Sequence, residues 1–465
     1  MSLKPTIGIE THIELNTKTK MFCRCAVVDT DDPNISLCPT CIGLPGALPV
    51  PNKKAIEFIT LLALSTGCEI TTKGMFHRKN YFYPDLPKNY QISQFDLPVG
   101  LNGELEIILD DNKDLIQIER VHMEEDTGKS SHSGSGRIES ATSTALDFNR
   151  SGVPLVEIVT KPVISSSKQA VAYIEELRQL SIDLNISEGR LEKGNLRFDA
   201  NISVAPEDSN ELGTKVEIKN MNSMRSLERA IDYEIQRQSK SVQDGVEIVQ
   251  ETRHWDENKE ITSTMRSKEG SADYRYFSDP DLPNMFLSEE FIKEVETLMP
   301  ILPKAQREDL MTTGLSLSQS NILSKSDEWI KKLYVKVFDQ TKDSVASYNW
   351  ITGELQGLMR KANIEVLPSN KISFTSAKII LTEILTTDTT PSNVAEQKNL
   401  FQENDSEKIS EMINQIIQEN QDIVDRIKLG EDKLVGFLVG QLMKQSNGSI
   451  NPGMAKDLLL KELKD

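Results

Sequence analysis

Positive charge is in short supply: 53 lysines and arginines face 71 aspartates and glutamates, a formal net charge of -18 at neutral pH. That balance excludes a generic nucleic-acid coat, while leaving room for local basic patches on an acidic surface. Cysteine is scarcer still, five residues in 465, too few for a disulfide framework at this length. No apolar run approaches the ~20 residues of a membrane span, and Met1-Ser2-Leu3-Lys4-Pro5 leads straight into a strand-like pattern rather than a leader peptide. The expectation is a cytoplasmic protein that does not enter a membrane. Familiar catalytic signatures are missing too. Thr127-Gly128-Lys129-Ser130 looks like the end of a phosphate-binding loop, but Met123 stands where the first glycine must be. There is no G-x-S-x-G elbow, no serine-rich amidase signature and no Cys-His pair suited to glutamine hydrolysis. A reaction that consumes ammonia would need a partner to release it.

What is present divides along the chain. A length of 465 residues implies two or three domains. Up to about residue 290, short alternating segments surround two helical patterns. One spans Asn52 to Thr66, with Ala55, Phe58, Ile59, Leu62 and Ala63 at helical spacing; the other follows the capping cluster Ser165-Ser166-Ser167 and runs through Tyr173, Ile174, Leu177 and Leu180. Beyond about 290 the pattern is helix after helix, punctuated by Pro300 and Pro303, with Trp329, Leu333, Val337 and Phe338 as core. A polar stretch, Thr386 to Asp405, reads as a linker. A last helical unit follows, where Asn451-Pro452 resembles a cap with proline at the first helical position. The expected fold is α+β: a domain over 1–292, a helical domain with linker over 293–404, and a helical tail over 405–465.

Four cysteines cluster as Cys23-x-Cys25 and Cys38-Pro39-Thr40-Cys41. Paired thiolates brought together by a loop suit a tetrahedral structural zinc site, although the first pair is tighter than the usual knuckle; structural zinc is favoured over the bland alternative of reduced, metal-free thiols. Cys68 sits in an apolar helical run as core filling.

The strands carry the functional argument, because residues two apart share a face. Ile9, Thr11 and Ile13 alternate with Glu10, His12 and Glu14; Val121 and Met123 neighbour Arg120, His122 and Glu124. Phe198, Ala200, Ile202 and Val204 alternate with Arg197, Asp199, Asn201 and Ser203, and Val216 and Ile218 with Lys215, Glu217 and Lys219. A half-buried antiparallel sheet would explain the alternation alone. The outer set, however, holds histidines, short Asp and Asn and interleaved opposite charges, which favours a sheet whose polar face is the floor of a site. Glu10, His12, Glu124 and Glu125 could meet around one divalent cation such as magnesium if their segments are neighbours. Arg78, Lys79 and Lys88 beside Tyr81, Tyr83 and Tyr90, in a run made loop-like by Pro84 and Pro87, could clamp phosphates and stack on a base.

Together these runs resemble the GatB family, the B subunits of the aspartyl/glutamyl-tRNA amidotransferases. The likeness spans the whole chain: Ile9-Glu10-x-His12, the cysteine cluster, Gly43-Leu44-Pro45-Gly46-Ala47-Leu48-Pro49, Arg78 to Lys88, Glu124-Glu125-Asp126-x-Gly128-Lys129 and Asp147 to Val159. It continues through Arg197-x-Asp199-Ala200-Asn201, Glu217-Ile218-Lys219-Asn220-x-Asn222-Ser223, Asp273 to Phe277, and a YqeY-like tail around Leu434 to Lys444. The resemblance implies an antiparallel-sheet cradle, an all-helical domain and a small helical tail. In that tail Lys444, Lys456, Lys461 and Lys464 could contact tRNA phosphates, while surface solubility is the better reading for any one of them alone. The resemblance also implies that ATP phosphorylates the side-chain carboxylate of misacylated Glu-tRNA(Gln) or Asp-tRNA(Asn). Ammonia would come from an amidase subunit, assembled in the same complex with a small third subunit, and would displace the phosphate. By resemblance Glu10, His12, Glu124 and Glu125 bind magnesium, with Glu125 also catalytic; Lys79, helped by Lys88, Tyr81 and Tyr83, holds ATP; Asp199 and Glu157 orient substrate or ammonia. The competing reading is a non-catalytic tRNA-binding scaffold of the same complex.

Overall fold

A computed structural model of the chain describes residues 2–133, 142–265, 274–356, 393–394, 397–398, 406–428, 435–445 and 459. The chain separates into two compact units, Met1–Ser326 and Asp327–Asp465. The first therefore runs past the change of character near residue 293 and takes in the next three helices.

The first unit is built on a twelve-stranded, mainly antiparallel sheet. Its centre is β1 (Leu3–Glu14), flanked on one side by β11 (Leu196–Pro206) and β12 (Val216–Lys219), and on the other by β10 (Pro154–Thr160) and β7 (Asn112–Glu125). Beyond β12 lie β13 (Thr252–Asp256) and β14 (Ile261–Thr264); beyond β7 lie β5 (Tyr90–Ser93), β4 (His77–Asn80) and the two-residue β15 (Phe277–Ser278). The long β6 (Gly100–Leu109) forms a hairpin with β7 and also pairs with β2 (Glu69–Ile70). Its two-residue turn, Asp110-Asp111, has both residues at positive φ, as a tight hairpin requires. Two further two-stranded pairings, β3 (Lys73–Gly74) with β16 (Met285–Phe286) and β8 (Lys129–His132) with β9 (Thr144–Asp147), stand apart.

The two-residue period divides the sheet. Ile7, Ile9 and Ile13 of β1 are wholly buried on one face, and α1 (Lys53–Ser65), α2 (Ser167–Asp183) and α3 (Met224–Gln243) pack there in a single core with Ile59, Leu62, Ile174, Leu177, Ala230 and Ile231. The helices start where capping chemistry places them: Asn52, Ser166 and Ser223 each accept a backbone N–H of the first turn through the side chain. The end of α1 lies so close to β6 that a Cβ on Gly103 would stand 2.4 Å from the Cys68 sulfur. Cys68 is core filling, as its run suggested.

Three short helices, α4 (Glu289–Glu296), α5 (Pro303–Thr312) and α6 (Leu317–Ser324), complete this unit. Arg307 of α5 is buried and pairs with Glu176 of α2 and, at 3.3 Å, with Glu106 of β6. In the second unit, α7 (Glu328–Thr341) and α8 (Ser344–Tyr348) run into a π-helical turn, Asn349–Leu355. The buried residues of α7 are Ile330 and Tyr334, with Tyr334 stacked on Phe338. Trp329, Leu333, Val337 and Phe338, expected as core, are only half-buried because the buried seam of this helix runs through Ile330 and Tyr334. Helices Ser406–Glu419, Gln421–Lys428 and Val435–Gln445 share a small core of Ile413, Ile416, Val424, Leu438, Leu442 and Leu459. Of the expected linker, Asn393, Val394 and Gln397 are helical and Val394 is buried. Lys398 is a turn residue; the rest of that stretch, the Asn451-Pro452 cap, Lys456, Lys461, Lys464 and Asp273 fall outside the described residues.

Arg307→Met removes the buried partner of Glu176, which keeps Lys325 at 3.0 Å; it is expected to destabilise the first unit by less than the ~3–5 kcal/mol of a wholly uncompensated buried charge, measured as a lowered urea midpoint of the transition reported by core tryptophan Trp255.

Candidate active site

The face opposite the helices is polar and, at its centre, enclosed. Strand register brings His12 of β1 opposite Glu157 of β10, and Glu157 opposite His122 of β7. The Glu157 carboxylate lies between the two imidazoles, 3.4 Å from His12 Nε2 and 3.1 Å from His122 Nε2. Glu124, two residues beyond His122 on the same face, approaches His12 Nε2 at 3.8 Å and receives the Lys79 ammonium at 3.2 Å. His12, Glu124 and Glu157 thus point one ligand atom each at a common space. Glu124 Oε2 and His122 Nδ1 are buried without a hydrogen-bond partner, the condition expected of groups shaped to meet a cation or substrate.

Electrostatics agree. Burial alone would lower the His12 pKa, but Glu157 and Glu124 outweigh it and hold the imidazole above its ordinary value. Glu157, against the opposing effect of burial, is held well below the carboxylate range by His122 and His12. Burial first, then repulsion from Glu157, pushes Glu124 upward despite Lys79. Lys79 stays well above the lysine range because Glu124 and Glu157 outweigh its own burial.

A second acidic group lies further along the same face. Glu10, Asp199 and Glu217, from β1, β11 and β12, converge around the Lys219 ammonium, which is 2.6 Å from Asp199 and 2.9 Å from Glu217. Asn201 donates to Glu10 at 2.8 Å. Arg197, opposite His12 on β11, holds Asp126 at 2.8 Å.

The four expected magnesium ligands are therefore not brought to one point. His12 and Glu124 meet; Glu10 joins Asp199 instead; Glu125 points to the other face, where its carboxylate accepts from the Ile92 N–H and from Lys88. The reason is the strand itself: consecutive residues face opposite ways, so Glu124 and Glu125 cannot share a face. Glu157, expected as an orienting residue, takes the place beside His12 and Glu124. Lys88 is committed to Glu125, and Arg78 to Asp279 and Asp281 at 2.9 and 2.8 Å, leaving Lys79 as the cation of that run on the polar face.

Aromatic rings wall this end of the site. Tyr81 donates to Gln91 at 2.7 Å and meets Tyr274 edge-on. Tyr274 lies 5.3 Å from the Lys79 ammonium and packs edge-on against Tyr276, which stacks on Phe95 at 4.6 Å. Phe95 is 57% exposed and Tyr83 54%, whereas Tyr90 is covered by the Arg78 guanidinium. Sequence reasoning assigned no role to Phe95, Tyr274 or Tyr276, and Arg275 between the two tyrosines has φ 43°, so no strand alternation marks them in the sequence.

The cysteines do come together. Cys23, Cys25, Cys38 and Cys41 place their sulfurs within 4.8 Å of one another, close enough to hold a metal ion. As bare thiols they divide unequally. Hydrogen bonding from Cys23 first, with help from the Cys38 N–H and the Lys20 charge, brings Cys41 down to about 5, while burial pushes Cys25 up to about 11. Just past the cluster Gly43, at φ 70°, lies so close to Lys88 that a Cβ there would stand 2.7 Å from its side chain. The cysteine turn thus braces Lys88 against Glu125.

A polar sheet face bearing paired histidines and buried carboxylates beside a lysine accords with the class its sequence matches: an enzyme component of the GatB/GatE catalytic type, whose family model covers residues 5–293. A second model, the GatB domain, matches 332–463. Over essentially its full length the chain is also similar to curated B subunits of the aspartyl/glutamyl-tRNA(Asn/Gln) amidotransferase. It is 40% identical to that of Carboxydothermus hydrogenoformans, with 98% of each chain covered. It is 41% identical to that of Thermodesulfovibrio yellowstonii, with 100% of each covered, and 41% identical to that of Crocosphaera subtropica, with 98% of this chain and 97% of the relative covered. The chain belongs to the GatB family.

The histidine row sets a pH dependence in the metal-free protein. The raised His12 pKa contributes stability that is complete below about 6.5 and is lost as pH rises through the raised value. The depressed Glu157 pKa contributes stability present above about 4.5 and lost as pH falls through the lowered value. With Glu157→Gln, burial dominates what remains from Glu124, so the His12 ring resonances in a pH titration by NMR are expected to report a pKa below that of the wild type.

Proposed function

We propose that this chain activates the side-chain carboxylate of Glu-tRNA(Gln), Asp-tRNA(Asn) or both with ATP, and then amidates it with ammonia delivered by a partner amidase. The relatives' name, one component of a tRNA amidotransferase, supports the substrate class and the presence of partner subunits, an amidase and a small third one. The observation that carries the chemistry is the buried group His12, Glu124 and Glu157 with Lys79 beside it.

A carboxylate resists attack by ammonia because its oxygen leaves badly. Transfer of the γ-phosphoryl group to a carboxylate oxygen, with ADP departing, turns that oxygen into part of a phosphate leaving group. Ammonia then forms the C–N bond, phosphate departs with the former carboxylate oxygen, and a proton leaves the nitrogen. A divalent cation such as magnesium, held by His12, Glu124 and Glu157, would supply charge neutralisation at the nucleotide oxygens. Lys79 adds a fixed ammonium at the same face, in the role played by phosphate-clamping lysines. Asp199, with Glu10 and Glu217, orients the incoming amine or the aminoacyl group. The aromatic wall from Tyr81 to Phe95 shields the acyl phosphate from water and offers the exposed ring of Phe95 to an unpaired base. Zinc is the metal suited to the four cysteines, in a structural role. No described helix is long and apolar enough to cross a membrane, and the translation chemistry of the relatives supports a cytoplasmic location.

The test is phosphate release from ATP by the reconstituted complex, with glutamyl-tRNA compared against deacylated tRNA. Lys79→Met and Glu124→Gln are each expected to lower charged-tRNA-dependent release by about 100-fold or more, the scale of losing one electrostatic stabiliser of a transferring group. Release that both variants leave unchanged would move the chemistry to a partner and leave this chain a tRNA scaffold.

A further inference from the structure

Lys20 is fully buried, at 0% exposure. Its ammonium donates to two backbone carbonyls, Ser36 O at 2.9 Å and Phe148 O at 3.1 Å, and it forms no ion pair with a carboxylate among the described residues. An ammonium taken out of water costs several kcal/mol even after the protein relaxes, and two carbonyl dipoles offset only part of that. The chain elsewhere gives its enclosed cations carboxylates: Lys88 has Glu125 and Arg307 has Glu176, and the half-buried Lys79 has Glu124.

The surroundings supply a different anion. The Lys20 N–H bonds the carbonyl of Cys25 at 2.9 Å. Ser36, which receives its ammonium, precedes Cys38 by two positions. The Lys20 methylenes, Cys41 and the Glu125 carboxylate, itself paired with Lys88, flank the same glycine: a Cβ on Gly152 would lie 3.6 Å from Lys20 Cδ, 3.7 Å from Glu125 Oε2 and 3.8 Å from Cys41 Cβ. Four thiolates around one divalent ion carry a net charge of two negative units, and such a centre, half-enclosed in protein, needs a counter-charge.

We infer that Lys20 is the counter-charge of a metal–tetrathiolate centre at Cys23, Cys25, Cys38 and Cys41, and so sets how tightly that centre holds its metal. This rests on the reading of the cluster as a zinc site. The Lys20 charge then acts with opposite sign in the two states of the protein. With metal bound, the ammonium and the dianionic centre stabilise each other. Without metal, the cluster carries less negative charge, so the same buried ammonium has less anion to offset its burial.

The test uses full-length wild type, Lys20→Met, which keeps the length without the charge, and Lys20→Gln, which keeps a donor for the carbonyls. Zinc affinity is read by competition with a chromophoric chelator at fixed pH, and urea midpoints are read for zinc-loaded and stripped forms. Both variants are expected to bind zinc about 10- to 100-fold more weakly, the range typical of lost partners of metal ligands. The stripped Lys20→Met protein is expected to unfold at a midpoint no lower than stripped wild type. Unchanged zinc affinity, or an equal loss of midpoint with and without zinc, would overturn the inference and make Lys20 a clamp on the Ser36 and Phe148 carbonyls. A wild type that takes up no zinc would overturn the metal reading itself, and this inference with it.

Discussion

The pairing of β1 with β10 and of β10 with β7 is the constraint on which the rest depends. It places an imidazole, a carboxylate and a second imidazole side by side, His12, Glu157 and His122, across three neighbouring strands. A slip of one residue in either ladder would turn the row into the helix-packed core, where charges have no partners, and would bring Thr11 or Ile158 to the polar face. The apolar face therefore guards the geometry of the polar one. Ile7, Ile9 and Ile13 lock the register through burial, and the site inherits that precision without committing its own side chains to it.

Enclosure gives the row its chemical character. On an open sheet the same carboxylates would be screened by water and worth little to one another. Here Glu124 and Glu157 are almost entirely buried, so each nearby cation shifts the balance of the whole group, and the pKa values of Lys79 and His12 are raised by carboxylates that would otherwise repel each other. The cysteine turn extends the same support from outside. It leans through Gly43 on Lys88, which fixes Glu125 and with it the end of β7 that carries Glu124.

Much of the architecture is legible in the residue pattern. The helix over Asn52–Thr66 and the one after Ser165-Ser166-Ser167 appear within a residue or two of where spacing and capping put them. The alternation in β1, β7, β11 and β12 correctly marks a sheet with one polar, functional-looking face. The helical core of α7 is displaced by one position, since a short amphipathic helix with apolar residues at Trp329, Ile330, Leu333, Tyr334, Val337 and Phe338 has two seams of nearly equal merit, and packing chose between them.

Sequence alone determined which residues alternate, where helices begin, that four cysteines can gather on one loop, and, through long ordered motifs, the family. These are local properties, set by backbone period and capping within a few residues. The grouping of the polar residues was decided only by tertiary structure. Glu124 and Glu125 are adjacent in the chain yet serve opposite faces, while Glu157, distant in sequence, completes the group with His12 and Glu124. Strand order and register bring distant positions within a few ångströms, and no reading of one strand at a time contains that information.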